Sequence, residues 1–145
     1  MLFEEVRRCS LGEGKGWGVP HLYLDYSSNI TQSVDFRALF QEIHAAFVEV
    51  DGVPINNCKS RAVRRDDFYI GDGQEDHAFV HLQVSALAGR SPDTKTALNQ
   101  ALLSLLEKHY RASLSRLRLQ LSVEFRDLET EEEHHYEVAG IKAWK

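Results

Sequence analysis

Residues 77–91, HAFVHLQVSALAGRS, carry the pattern from which the rest of the chain is read. Ala78, Val80, Leu82, Val84 and Ala86 fall on one side of a period-two alternation, and Phe79, His81, Gln83 and Ser85 on the other. Successive side chains of a strand point to opposite faces, so this segment predicts a strand with one wholly apolar face. Gly89-Arg90-Ser91-Pro92 ends it. Ser91 is suited to cap a helix and Pro92 to begin one, because the first helical N–H needs no partner. The following residues place Leu98, Ala101, Leu102, Leu105, Leu106 and Tyr110 on one helical stripe. Alternation then resumes over 117–125, where Leu117, Leu119, Leu121, Val123 and Phe125 share a face. The second half of the chain therefore reads strand–helix–strand.

The first half repeats that order. Leu22, Leu24 and Tyr26 alternate with His21, Tyr23 and Asp25, and 27–33 supply polar turn residues. Asp35 opens a helix with Phe36, Leu39, Phe40, Ile43, Phe47 and Val50 at helical spacing, Gly52 closes it, and Pro54 lies just beyond. A second strand is expected over 58–63. Asp66–Ile70 followed by Gly71-Asp72-Gly73 reads as a short hairpin before the strand at 77. The expected fold is α+β: a tandem β-α-β arrangement with a four-stranded sheet and both helices on one face, plus the short hairpin and an N-terminal extension. The opposite sheet face carries Tyr23, Phe79, His81, Gln83 and Gln120. That mixture is too polar for a closed core and too aromatic for bare solvent, which points to burial against other subunits.

A chain of 145 residues is long enough for one domain with a full core. With 43% hydrophobic and 27% charged residues it has an ordinary globular composition, and its net charge of −5 argues against a general nucleic-acid binder. No apolar run has membrane-spanning length and the first residues lack the apolar core of a secretory signal. Cys9 and Cys58 lie far apart with no metal-site spacing, so a reduced, cytoplasmic protein without metal is expected. Glu131-Glu132-Glu133-His134-His135 has the composition of a metal tract but reads as a solvated tail. Cys58 reads as a small core residue, and His21, His77 and His81 as satisfied sheet histidines. Residues 1–19 differ from the rest: GEGKGWG, at 12–18, is glycine-rich and reads as a linker. The expected division is an extension over 1–19 and one domain over 20–145.

Four stretches, PHLYLDYS at 20–27, NNCKSRA at 56–62, HAFVHLQVSALAGRS at 77–91 and EKHYRASL at 107–114, together resemble the 5-carboxymethyl-2-hydroxymuconate isomerases of the tautomerase superfamily. The resemblance implies a homotrimer and a cofactor-free isomerase or tautomerase of small unsaturated carboxylate-bearing enols, working in aromatic-compound catabolism. It further implies an N-terminal proline as general base and arginines that hold the substrate carboxylates. By position, Pro20 is the base and Arg90 the carboxylate-binding arginine. Lys59 stands where the family has its other functional arginine, two residues before Arg61. Lysine keeps the charge but lacks the bidentate fork that matches a carboxylate. Arg61 and Asp25 complete the candidate substrate-binding set. A free α-amino group titrates at roughly 7.7–8.0, and nearby cations lower that value into the range of a useful base at neutral pH.

One bond governs this chemistry. With Val19 attached, the Pro20 nitrogen is a tertiary amide with neither N–H nor basicity. Three accounts of 1–19 stay open. Val19 can be encoded by GTG and read as an initiator methionine, with a purine-rich ribosome-binding run over Gly14-Lys15-Gly16. The segment can instead be a leader removed by proteolysis. Or it is retained, leaving a trimeric ligand-binding or structural module, and the extended chain is expected to be inactive through proline.

Overall fold

In the computed structural model, which describes residues 19–128, the chain runs through eight elements. These are β1 (His21–Ser27), α1 (Phe36–Asp51), a 3-10 turn (Ile55–Asn57), β2 (Lys59–Arg65), β3 (His77–Leu87), α2 (Pro92–His109), a short α3 (Arg111–Leu114) and β4 (Arg118–Leu128). Nearly all of the expected extension and the 131–135 tract lie outside the described residues.

Both main helices start and stop where local chemistry dictates. The Asp35 carboxylate accepts from the Ala38 amide at 3.1 Å, and Gly52 closes α1 at φ 74°, a left-handed turn that glycine adopts without strain. Ser91 Oγ accepts from the Thr94 amide at 3.1 Å, with Pro92 in the first turn of α2. The sheet order is β2-β1-β3-β4. β1 runs parallel to β2 and β3 parallel to β4, each pair joined by its crossover helix; β1 and β3 meet antiparallel, with His21 opposite Ser85. The expected tandem β-α-β arrangement is therefore present, joined through its two central strands.

Leu39, Ile43 and Phe47 of α1 and Leu98, Leu102, Leu106 and Tyr110 from α2 and its cap pack on Leu22, Leu24, Ala78, Val80, Leu82 and Val84. Each such leucine contributes about 2 kcal/mol by leaving water. Two details depart from the sequence reading. Val50 is exposed, because the buried row of α1 steps every fourth residue and ends at Phe47. No strand pair forms over 66–76, so the expected hairpin is a loop. Its polar and aromatic groups turn to distant side chains instead of a ladder. Asn29 Nδ2 donates to the Glu75 and His77 carbonyls, Phe68 sets its edge against Phe79, and the Asp72 carboxylate meets His77.

Candidate active site

Pro20 is buried at the head of β1, and its carbonyl accepts from the Lys59 amide at 3.2 Å, starting the parallel pairing with β2. Val19 is fully buried against Leu87 and Leu128, the last residues of β3 and β4. The start of β1 is thus gathered with the start of β2 and the end of β3.

Arg90 reaches the same end. Gly89, at φ 127°, turns the chain after β3, and Arg90 Nη1 donates back to the Leu87 carbonyl at 2.9 Å. Nε and Nη2 of Arg90 both point at Asp51 Oδ2, at 2.7 and 2.6 Å, and the guanidinium lies 5.8 Å from the centre of the Phe125 ring. Both side chains of the pair are largely buried, at 12% and 15% exposed. Asp51 is the last residue of α1, where the helix dipole disfavours an anion; the arginine offsets that cost.

Cys58 sits between these groups. Burial pushes its thiol up to about 11, while the charges of Lys59 and Arg90 pull down and that of Asp51 pushes up, so all three lie within electrostatic reach. It is a buried core residue with an inert thiol, as its composition suggests. Lys59 Nζ donates to the Asn57 carbonyl at 2.9 Å; partial burial, aided by repulsion from Arg61, lowers its ammonium below the usual lysine range.

The remaining candidates are placed differently. Arg61 stacks 4.5 Å over Tyr23 and meets His21 Nδ1 at 3.1 Å, two residue pairs along the sheet from Lys59. Asp25 lies near the other end of β1 and accepts from Arg65 at 3.2 Å. Five residue steps along the strand separate it from Pro20, about 16 Å, so the chain's own fold does not bring the two together. His81 is bonded at both ring nitrogens, to Ser122 at 2.6 Å and Glu124 at 3.0 Å. Asp51 drew no expectation from sequence. The available signal was an acid in the last turn of a helix, which calls for a cation partner.

The arrangement sets Lys59 and the Arg90–Asp51 ion pair at the end of the sheet that holds Pro20, one net positive charge among these three side chains. Comparison with known proteins gives this geometry a context. The family model described as 5-carboxymethyl-2-hydroxymuconate isomerase matches residues 20–143. A 5-carboxymethyl-2-hydroxymuconate Delta-isomerase of Escherichia coli is 29% identical over 110 residues, 76% of this chain and 87% of that protein. The crystal structure of a 5-carboxymethyl-2-hydroxymuconate isomerase from Deinococcus radiodurans R1 superposes with a TM-score of 0.69 at 28% identity, covering 75% of this chain and 82% of the other. A fused 4-OT symmetric trimer shares the fold, with a TM-score of 0.60 at 23% identity over 77% of this chain and 87% of its own.

Proposed function

The chain belongs to the 5-carboxymethyl-2-hydroxymuconate isomerase family, and from that premise we propose that it is a cofactor-free isomerase or tautomerase of small unsaturated carboxylate-bearing enols. Pro20 is the general base in a chain that begins there, residues 20–145 form the catalytic domain, and Arg90 and Lys59 hold the substrate carboxylate. The observation that carries this reading is the gathering of Lys59 and Arg90 at the end of the sheet headed by Pro20, together with a family match that starts at Pro20 itself.

The reaction is a proton relay. The secondary amine takes a proton from the enol oxygen or an acidic carbon, becoming an ammonium and leaving a dienolate. It then returns the proton to a carbon further along the conjugated system, and the amine is regenerated. Arg90 favours this sequence by donating hydrogen bonds to the substrate carboxylate, and Lys59 by supplying the net positive charge that offsets the substrate's and lowers the pKa of the amine. Arg61, bordering Lys59 through His21, is a further substrate contact; Asp25 could reach a ligand only across a subunit boundary, given its distance from Pro20 within one chain.

A homotrimer that covers the mixed sheet face completes the reading, with a small acid as the other partner and a cytoplasmic role in aromatic-compound catabolism. Tyr23, 40% exposed on that face, supports such a cover. Among the described residues no helix is long and apolar enough to cross a membrane. A second reading rests on one observation: Val19 is fully buried against Leu87 and Leu128. A chain that keeps Val19 has an amide at Pro20 and acts as a trimeric ligand-binding or structural module.

The deciding experiment compares the full chain with one beginning at Pro20, following the loss of dienol absorbance of 2-hydroxymuconate. The shorter chain is expected to turn over at least 100-fold faster. Equal rates, or full activity after Pro20→Ala in the shorter chain, would exclude catalysis by the proline amine.

A further inference from the structure

Arg90 has five N–H donors, and two make hydrogen bonds within the described residues. Nε gives one to Asp51 Oδ2 and Nη1 gives one to the Leu87 carbonyl, while Nη2 lies 2.6 Å from the same Oδ2 as an ion-pair contact. One N–H on Nη1 and one on Nη2 make no hydrogen bond among the described residues. The guanidinium is held from two independent directions, the end of α1 and the end of β3, with the Phe125 ring alongside at 5.8 Å. A planar group fixed by two hydrogen bonds and an ion pair has lost the rotamer freedom that it would otherwise give up on binding a ligand.

We propose that Asp51 is a positioning residue: it locks the guanidinium of Arg90 so that the remaining N–H groups on Nη1 and Nη2 form a pre-set seat for a ligand carboxylate. The identity of that carboxylate as the substrate's rests on the functional reading above; the lock itself does not. Asp51 acts on Arg90 in two ways. It holds the plane of the fork, and it balances the charge of an arginine that is largely buried, so that the site keeps one net cation, Lys59, beside Arg90's paired charge. A carboxylate entering the seat meets a donor pair already in place and leaves the Asp51 contacts unbroken.

The test uses the full chain and arginine side-chain NMR, with the stable dicarboxylate cis,cis-muconate as probe. In the unmodified protein the Arg90 Nε–H signal is expected to be protected from exchange and its Nη groups to rotate slowly. Muconate should shift those signals, and Asp51→Asn should remove the protection and weaken muconate binding about tenfold. In an Arg90→Lys background, Asp51→Asn should weaken binding no further, because both changes break one unit. A freely rotating Arg90 in the unmodified chain overturns the lock without any variant needing to fold. Muconate binding that leaves the Arg90 signals in place, absence of binding, an unchanged affinity in Asp51→Asn, or tighter binding there, which would make Asp51 a competitor, each overturns the seat. Failure of proline-dependent turnover would sink the enzymatic reading alone, since these signals do not depend on it.

Discussion

The two ends of the β3–β4 ladder carry the same chemical pair in different surroundings. Before β3, Asp76 receives Arg118 through a two-point fork at 2.8 and 2.6 Å, and both side chains are about half exposed, at 50% and 53%. After β3, Arg90 converges on a single oxygen of Asp51, with both side chains largely buried. The first pair has the better geometry and the smaller energetic role, because water solvates either partner when the other is absent. The second has the poorer geometry, yet neither partner has an alternative. Burial, rather than the neatness of the fork, separates a surface clasp from a contact on which an end of the fold depends.

The sharpest way to break this contrast is to remove each arginine. Arg90→Ala strands the Asp51 carboxylate at the end of a helix and is expected to destabilise the fold by about 3 kcal/mol in denaturant titration. A loss under about 1 kcal/mol would place Asp51 in effective contact with water and erase the distinction.

Alkali probes the Pro20 end and acid the other. Folding raises the Cys58 thiol from 9.0 to about 11. Its contribution is therefore fully present below pH 9 and is lost as pH rises through the folded value, an effect of at most about 3 kcal/mol for a shift of this size. Cys58→Ala should flatten that part of the stability curve relative to the parent; superimposable pH dependences would mean the thiol is solvated. At the other end, the hydrogen bond from Arg118 holds Asp76 below its ordinary 3.8. Its contribution is present above that value and lost as pH falls further, so the Arg118→Ala difference should be present near neutral pH and vanish in acid.

A third polar group extends the comparison to burial without any partner. The Tyr110 hydroxyl is buried with no hydrogen-bond partner among the described residues, and desolvation raises its pKa. Tyr110→Phe keeps the ring that packs on the core and removes the orphaned hydroxyl, so a gain of about 1 kcal/mol is expected by thermal melting. A loss of stability would reveal a bridging water at that oxygen.

These contrasts also mark how far the sequence could be read. β3, the Asp35 and Ser91 caps and the Gly52 stop were legible because alternation and capping are decided within a few residues. The crossovers followed from element order. The 66–76 loop was misread because its partners, Asn29 and Phe79, are set by tertiary placement. The site was legible only by resemblance: nothing local in Gly89-Arg90-Ser91 announces a ligand, and Asp51 lies 39 residues from the arginine that it holds. Pairings across such separations are written in the fold, not in any window of sequence.

The smallest effect is the most exacting check on the contrast. Arg118→Ala near neutral pH removes a fork that is geometrically superior to that of Arg90, yet it should cost only a small fraction of what Arg90→Ala costs, since water replaces each lost hydrogen bond. Part of the contact also survives, because the backbone amide of residue 118 still donates to the Asp76 carbonyl at 2.8 Å. That remaining bond sits at the start of the β3–β4 ladder, whose pairing from His77 with Arg118 to Leu87 with Leu128 holds the register whatever the side chain does. Raising salt to about 1 M should shrink the difference further, as the Debye length falls to about 3 Å. A cost approaching that of Arg90→Ala would show that fork geometry outweighs burial in this sheet, and the ranking of its two ends would have to be reversed.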